Sequence, residues 1–408
     1  MIWAVVIVGL LLLVFVHELG HFTVALAVGI RPRSFYIGFP PAIAKVKRNG
    51  IEYGIGAIPL GGLVRIPGMH RPAARDLETF MAPAVHENPG LTPAVQRVGR
   101  HLAAGELAAA REALPELQVE TEAAGLTPAA RRSASRALRE VEEGTGPDAY
   151  WRQHTWKRVA VIAAGPAANI LVAFLIFWFV YATGAPSQQP STEVASVSAN
   201  TPAAAAGLQP GDRVVAVNGR AAPDFTAVSR LIRASHGSAI TVTVHRDGRE
   251  VTLGPRRTIE QQGRWIWGFV PASQLVSHPL GASARLAIGD CWRVVTGTVT
   301  AFGGLFHARQ RAEISGPVGI VRTSAQFLKV GFQWYLQLLG LISMSLALFN
   351  ILPLLPLDGG HILFSIVERL RRRAVPREVY ERVSVFGMAL ILLITVIAFS
   401  NDLGGTPR

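Results

Sequence analysis

Residues 2–30 decide how the chain folds. They read IWAVVIVGLLLLVFVHELGHFTVALAVGI, and every residue from Ile2 to Val16 is apolar or glycine. The stretch is long enough to cross a bilayer, because about 20 apolar residues suffice. Inside it lie two imidazoles and a carboxylate, in the motif His17-Glu18-Leu19-Gly20-His21. Ionisable groups at that depth cost roughly 2.5–3.5 kcal/mol each on insertion scales and mark functional sites.

The motif has the spacing of a zinc site. On a helix, His17 and His21 lie one turn apart on the same face, where two ring nitrogens reach one metal ion. Glu18 is beside them and is the candidate general base for a metal-activated water. The helix places His17 about 22 Å from its start, which is within a hydrocarbon core about 30 Å thick and nearer its far side.

Basic residues flank the predicted spans and orient them. The first span is followed by Arg31, Arg33, Lys45, Lys47 and Arg48. A later basic stretch contains Arg369, Arg371, Arg372, Arg373, Arg377 and Arg382. Excess Lys and Arg marks the cytoplasmic ends of spans, so the motif lies towards the cytoplasmic side. We interpret the net charge of +13 as a topology signal and expect no nucleic-acid partner, since no nucleic-acid-binding motif is present.

The composition indicates a multi-pass membrane protein. Half of the 408 residues are hydrophobic and only 16% are charged, a balance unlike that of soluble domains. Residues 1–4 carry no basic side chain, so we expect no cleaved signal peptide. Cys291 is the single cysteine, which excludes an intramolecular disulfide and a cysteine-rich metal site.

Hydropathy and periodicity divide the rest of the chain. Residues 31–68 include the alternating stretch IEYGIGAIPLGGLVRI at 51–66, which predicts a membrane-associated β-hairpin broken at Gly61-Gly62. Residues 69–155 are rich in Ala, Glu, Arg and Leu and predict a helical cytoplasmic insertion. Further segments are predicted as membrane spans at 1–30, 156–185, 332–362 and 383–400, an amphipathic membrane-surface segment at 280–330, and a basic cytoplasmic loop at 363–382.

A compact α+β domain is predicted at 190–275, after a polar linker at 186–191. Its phrase AAAAGLQPGDRVVAVNG at 203–219 predicts a short helix, a Pro-Gly turn, a strand and an Asn-Gly turn. This phrase closely resembles that of bacterial PDZ domains, which bind peptide ends by strand addition. The resemblance does not make this domain catalytic.

The third span provides a candidate third ligand. A catalytic zinc needs three protein ligands and an open position. Asp358 follows Pro353 and Pro356 at the end of that span. The first and third spans run in the same direction if a single crossing separates them, so Asp358 reaches the same side of the membrane as His17. A helix N-cap is the alternative role for Asp358, and His361 is the alternative ligand. Asn169, within Gly165-Pro-Ala-Ala-Asn169 of the second span, has either a helix-packing role or a substrate contact.

Taken together, these motifs resemble those of the site-2 proteases, the intramembrane zinc metalloproteases of bacterial regulated proteolysis. The resemblance covers most of the chain outside 70–150. It implies one zinc per chain on His17, His21 and Asp358, with Glu18 as general base. It also implies that Asn350 and the 51–66 strand, with Gly61 and Gly62, hold an unwound substrate. The insertion departs from the family's usual plan, and the prolines at 353 and 356 are three apart where many members have them two apart.

The resemblance implies a fold and an activity. We expect an α-helical protein of four transmembrane helices in the bacterial plasma membrane, with an extracytoplasmic PDZ domain. The expected substrates are single-span membrane proteins, such as anti-sigma factors or remnant signal peptides, and the PDZ domain would take a trimmed substrate or a peptide C-terminus. Membrane lipid is the other expected partner. A membrane-anchored PDZ scaffold with a non-catalytic metal site is the alternative function, and an ion transporter is weaker because no internal repeat is evident.

Overall fold

The computed structural model describes residues 2–261, 263–304 and 316–403. Its helices are α1 (Ile2–Ala27), α2 (Ala74–Glu87), α3 (Thr92–Ala104), α4 (Leu107–Ala123), α5 (Pro128–Thr145), α6 (Thr155–Thr183), α7 (Pro202–Ala205), α8 (Phe225–Arg233), α9 (Leu280–Gly304), α10 (Pro317–Val330), α11 (Phe332–Ile351), α12 (Asp358–Arg371) and α13 (Arg377–Leu403). Its strands are β1 (Ser34–Arg48), β2 (Ile51–Arg65), β3 (Ala185–Val197), β4 (Arg213–Val217), β5 (Arg220–Ala221), β6 (Ala239–Arg246), β7 (Arg249–Arg257), β8 (Ile259–Gln261), β9 (Arg264–Ile266) and β10 (Phe269–Val276). The chain forms two compact units, residues 1–176 with 288–408 and residues 177–287.

Four helices are long and apolar enough to cross a membrane. They are α1, α6, α11 and, within α13, the segment Glu378–Asp402. The predicted count of four and the mostly helical class are confirmed. Apolar side chains on these helices are exposed, among them Val8 and Leu12 on α1 and Leu392 on α13. Outward-facing apolar residues of this kind suit a lipid surrounding, since lipid does not penalise them.

The small sheet is an antiparallel hairpin within the predicted region 31–68, but its turn is not at Gly61-Gly62. β1 and β2 pair antiparallel, and their turn lies at Asn49-Gly50, where both residues have positive φ. Asn-Gly favours this turn because both residues adopt the left-handed region readily. The prediction of a break at Gly61-Gly62 was wrong, since both glycines lie inside β2. Phe35 is in register with both Tyr53 and Val64, so the start of β1 pairs with both ends of β2.

The insertion folds as a helical bundle with its own apolar core. Helices α2–α5 enclose a cluster that includes Met81, Val98 and Leu117. Thr127 caps α5 by accepting a hydrogen bond from the Ala130 N–H at 3.4 Å, with Pro128 at the first helical position, as this sequence favours. The end of the bundle is tied to the sheet by two ion pairs, Arg33–Asp148 and Arg65–Glu143.

The predicted third span is two helices. α11 ends at Ile351, and Asp358 begins the separate helix α12, so a single helix over 332–362 was wrong. The prolines of the intervening turn lack the N–H that a continuous helix needs. Gly359 fits there because a Cβ would come within 2.3 Å or less of the Ile351 carbonyl group. The predicted basic loop at 363–382 was also wrong, since α12 extends to Arg371 and α13 starts at Arg377.

Residues 177–287 form an α/β unit. A sheet in the order β10-β3-β4-β6-β7, with β5 on β4, packs around a core that includes Trp267, Val242 and Val228. The predicted linker at 186–191 lies inside β3, which pairs with β10. That pairing gives the backbone of the polar segment hydrogen-bond partners, so it extends the sheet instead of connecting two parts of the chain.

The predicted surface segment at 280–330 contains α9 and α10. Residues 305–315 of this segment lie outside the described residues. Neither helix is among the candidate spans found in the described part of the chain. α9 exposes Ile288 and Trp292 and carries an Asp290–Arg293 ion pair.

A buried carboxylate, Asp212, links several parts of the 177–287 unit. Its buried carboxylate accepts hydrogen bonds from Arg246 Nε at 2.6 Å, Arg246 Nη2 at 2.7 Å and the Gln209 N–H at 2.8 Å. Burial would raise the pKa of Asp212, but the guanidinium and the N–H bring this pKa below its usual value. We expect Asp212→Asn to destabilise the unit by about 1–3 kcal/mol at pH 7, because paired buried groups lose their partner.

Hydrogen exchange of the β4 and β6 amides in the intact protein measures this loss. A carboxyl with a lowered pKa stabilises the fold above its unfolded pKa, so the difference from the parent should shrink as the pH falls below about 3.9. Asp247→Asn, an exposed neighbour that loses the same charge, is the control. Equal exchange in the parent and in Asp212→Asn at pH 7 would contradict the assignment.

Candidate metal centre

Three ligand-type side chains meet between α1 and the start of α12. His17 and His21 lie one turn apart on α1, and both are buried. Their Nε2 atoms are 3.2 Å from each other. Asp358 Oδ2 lies 3.2 Å from His17 Nε2 and 3.3 Å from His21 Nε2. No other group of three or more such residues that could hold a metal ion occurs among the described residues.

This triangle of atoms fits a zinc ion. Ligand atoms at about 2.0–2.2 Å from a tetrahedral zinc lie about 3.3–3.5 Å from one another, close to the three observed edges. Asp358 Oδ2 is buried, and apart from the two imidazoles no described group pairs with it. Two nitrogens and one oxygen also form a donor set that zinc enzymes use. The residues therefore fit the metal that the motif predicts.

The close crossing of α1 and α6 depends on two glycines. A Cβ at Gly165 would lie 2.9 Å from His17 Cε1 and 2.6 Å from His21 Cε1. A Cβ at Gly20 would lie 2.9 Å from the Ala164 carbonyl carbon. Small residues allow membrane helices to approach this closely. α6 consequently covers the imidazoles, and His21 Nδ1 lies 2.8 Å from the Val161 carbonyl oxygen.

Glu18 lies between the metal-ligand cluster and the small sheet. Its carboxylate is hydrogen-bonded by the backbone of Val64. A Cβ at Gly62 would lie 3.1 Å from the Glu18 carboxyl carbon and closer to its Cγ. β2 therefore approaches Glu18 only because Gly62 has no side chain. Charges on His17, His21 and Asp358 are near enough to act on the Glu18 carboxylate.

The other predicted site residues occupy different surroundings. Asn169 is fully buried, and its amide is 3.5 Å from His17 Nδ1. Asn350 donates from Nδ2 to the Leu346 carbonyl one turn back, at 3.0 Å. Gly61 adjoins the Phe39 ring. His361 faces the Tyr380 ring, with centroids 6.4 Å apart, and is not in the ligand cluster. Substrate-binding roles for Asn169, Asn350, Gly61 and Gly62 stay predictions.

Sequence reasoning gave no separate role to Gly165, Gly20 or Val64. Gly165 lies in the Gly-Pro-Ala-Ala-Asn segment, and Gly20 lies inside the histidine motif. A small residue in an apolar span is a signal for close helix packing, but it does not say which partner helix approaches. The sequence gives no indication of the contact between the Val64 backbone and Glu18, because every residue other than proline has a backbone N–H.

Comparison with known proteins finds peptidase relatives over most of the chain. The family model of peptidase family M50 matches residues 5–394. A Mesorhizobium japonicum protein named as a zinc metalloprotease is 30% identical, over 97% of this chain and 96% of the relative. Bacillus subtilis regulator of sigma-W protease RasP is 28% identical over 96% and 95%. Geobacillus kaustophilus zinc metalloprotease RasP is 29% identical over 96% and 95%.

The chain therefore belongs to peptidase family M50, the family of the site-2 proteases. The predicted family is confirmed, and the class of the protein is that of a metalloprotease. The match runs through the insertion and through the 177–287 unit, so the family extends over nearly the whole chain.

The Gly165 contact gives a test of the centre. We expect Gly165→Ala to weaken zinc binding at least ~10-fold, the size of effect seen when the support of a metal ligand is disturbed, because the added methyl group meets both imidazoles. Ala167→Val, which adds carbon on the exposed face of α6, is the control. Zinc dissociation constants are measured by chelator competition in nanodiscs, and an unchanged constant in Gly165→Ala would refute the close crossing.

Proposed function

We propose that this protein is an intramembrane zinc endopeptidase that hydrolyses a peptide bond in or near the transmembrane segment of single-span membrane proteins. One observation carries the proposal. Three ligand atoms, on His17, His21 and Asp358, lie within 3.3 Å of one another beside Glu18. Two of the three are inside an apolar helix that is long enough to span a membrane. Membership of a peptidase family supports the reaction type.

His17 and His21 would hold the ion through Nε2, and Asp358 through Oδ2. When bound, zinc lowers the pKa of a water molecule and polarises the substrate carbonyl. Each imidazole needs a lone pair on Nε2 for this role. For His21, the Val161 carbonyl oxygen accepts the proton on Nδ1 and so leaves the lone pair on Nε2. Names of the relatives, which include zinc metalloproteases, support this choice of metal.

Glu18 would act as the general base. It would take a proton from the attacking water and deliver it to the leaving amide nitrogen. The Val64 backbone hydrogen bond holds one side of the carboxylate, which fixes the direction in which the other oxygen points. Gly62 leaves the space that this orientation needs.

The substrate would be held extended beside β2. Carbonyl groups in a helix already accept hydrogen bonds, so a helical transmembrane segment must unwind before it is cleaved. Strand addition to a sheet supplies the hydrogen bonds that an unwound segment loses. The sheet exposes apolar side chains, among them Ile43, Val46 and Ile55, which suit contact with a membrane segment. Gly61 and Asn350 are proposed to help hold this segment.

The 177–287 unit would select substrates as an extracytoplasmic PDZ domain. Its short helix α7, the Pro-Gly turn and strand β4 occur in the order that the PDZ resemblance predicts. We propose that it binds a trimmed substrate or a peptide C-terminus and excludes untrimmed proteins. The active site would face the cytoplasm, because basic residues follow α1 and occur at the end of α12 and after it.

Regulatory membrane proteins are the proposed substrates. A relative is named regulator of sigma-W protease, which supports anti-sigma factors as one class. Remnant signal peptides form the second class. Surrounding lipid would contact the exposed apolar faces of the four spans, and the exposed face of α9 would lie on the membrane surface.

Replacing the proposed base tests the reaction. We expect Glu18→Gln to abolish cleavage of a co-expressed, trimmed single-span substrate while one zinc per chain is retained, because the amide cannot accept the proton. Glu112→Gln, on the exposed surface of α4, should cleave like the parent. Immunoblots of the substrate and metal analysis of the purified protein provide the two measurements.

The alternatives predict different results. Cleavage by Glu18→Gln would contradict the proposed mechanism. Parent protein that binds zinc but cleaves no membrane substrate would favour a scaffold with a non-catalytic metal site. Parent protein without zinc, together with unaltered cleavage in Asp358→Ala, would exclude a zinc enzyme.

Gly62 provides a finer test of the base. We expect Gly62→Ala to lower kcat at least ~10-fold with unchanged zinc content, because small misplacements of reacting groups have effects of up to about 100-fold and the methyl group would displace Glu18. Gly61→Ala, whose methyl group points to the Phe39 ring, should alter KM more than kcat. An unaltered kcat in Gly62→Ala would show that Glu18 does not depend on this contact.

A further inference from the structure

The two histidines differ in what holds their second ring nitrogen. His21 Nδ1 is 2.8 Å from the Val161 carbonyl oxygen. A carbonyl oxygen only accepts, so His21 Nδ1 carries the proton and Nε2 has a free lone pair. His17 Nδ1 has a different neighbour, the side-chain amide of Asn169 at 3.5 Å. An amide offers both a donor and an acceptor, so the contact alone does not fix the protonation of His17.

The amide nitrogen of Asn169 faces His17 Nδ1, and the amide oxygen is buried without a hydrogen-bond partner. With the nitrogen donating, His17 Nδ1 would need a lone pair, and the proton would move to Nε2. That proton would then point towards His21 Nε2 and Asp358 Oδ2. Oxygen and nitrogen of an amide have nearly the same shape, and their assignment follows from the hydrogen-bond network.

We infer that Asn169 is a positioning residue whose Oδ1, after rotation of the amide, accepts the Nδ1 proton of His17. This leaves the lone pair of His17 Nε2 directed at the same point as that of His21. Either orientation of the amide leaves one of its atoms without a described partner, so hydrogen-bond counting does not choose between them. The choice is made because a zinc ligand needs a lone pair on His17 Nε2, and Nδ1 must then carry the proton. The inference rests on the proposed zinc site.

The backbone around Asn169 is arranged to hold the amide. Asn169 is fully buried, and its carbonyl oxygen accepts a hydrogen bond from Ser343 Oγ on α11 at 2.9 Å. α6 runs antiparallel to α1 here, because Val161 contacts His21 and Asn169 contacts His17. One helix thus supplies both acceptors, a backbone carbonyl for one ligand and a side chain for the other. Acceptors of this kind orient metal-bound histidines in many proteins.

The test measures zinc affinity and not activity. Zinc dissociation constants are determined by chelator competition on full-length protein in nanodiscs. We expect Asn169→Leu, which keeps the branched arrangement of four side-chain heavy atoms but removes the acceptor, to weaken zinc binding about 10–100-fold. Asn169→Asp has only acceptor oxygens, so it should bind zinc at least as tightly as the parent. Ala167→Val, which adds carbon on the exposed face of α6 and leaves Asn169 and His17 unaltered, should leave the constant unchanged.

Each outcome decides the inference. Parental zinc affinity in Asn169→Leu would overturn it. Zinc affinity in Asn169→Asp below that of the parent would also overturn it, because the Asn169 nitrogen would then be the group that supports zinc binding. The Asp variant decides the question even if Asn169→Leu does not fold. Failure of the proposed function would look different. The parent would then bind no zinc, or it would bind zinc no more tightly than His17→Ala does.

Discussion

The close approach of α6 to α1 is the constraint on which the candidate metal centre depends. Gly20 and Gly165 lie at the crossing, and a Cβ on either would collide with the opposite helix or with the imidazoles. In a bilayer the lipid tails are as apolar as leucine, so helices associate through packing and hydrogen bonds. The crossing supplies both, since it brings the Val161 carbonyl and the Asn169 side chain onto the two histidines.

The position of Asp358, the proposed third ligand, depends on where the helix before it ends. α11 ends at Ile351, and the turn before Asp358 folds back so that Gly359 and Gly360 touch its backbone. The turn allows Asp358 to begin a new helix at the level of His17 and His21, and a broken helix is tolerated at this depth only where protein covers the backbone.

The sheet links the insertion to Glu18. Arg33 and Arg65 are adjacent through a backbone hydrogen bond of 2.8 Å, and they pair with Asp148 and Glu143 at the end of the insertion. The same strand, β2, carries Gly62 and Val64 against Glu18. The sequence indicated only that residues 69–155 form a helical insertion. The structure connects this insertion through β2 to Glu18, the candidate general base.

The sequence by itself determined the four apolar spans, the family, and the candidate ligands on α1, because hydropathy and the His-Glu-x-x-His spacing act within one helix. It also identified Asp358, through the need for a third ligand. Tertiary structure decided the rest. The strand at 186–191 depends on which neighbour supplies its backbone hydrogen bonds, here β10. The roles of Gly165 and Gly62 depend on the space between two elements distant in sequence, and local periodicity carries no information about that space.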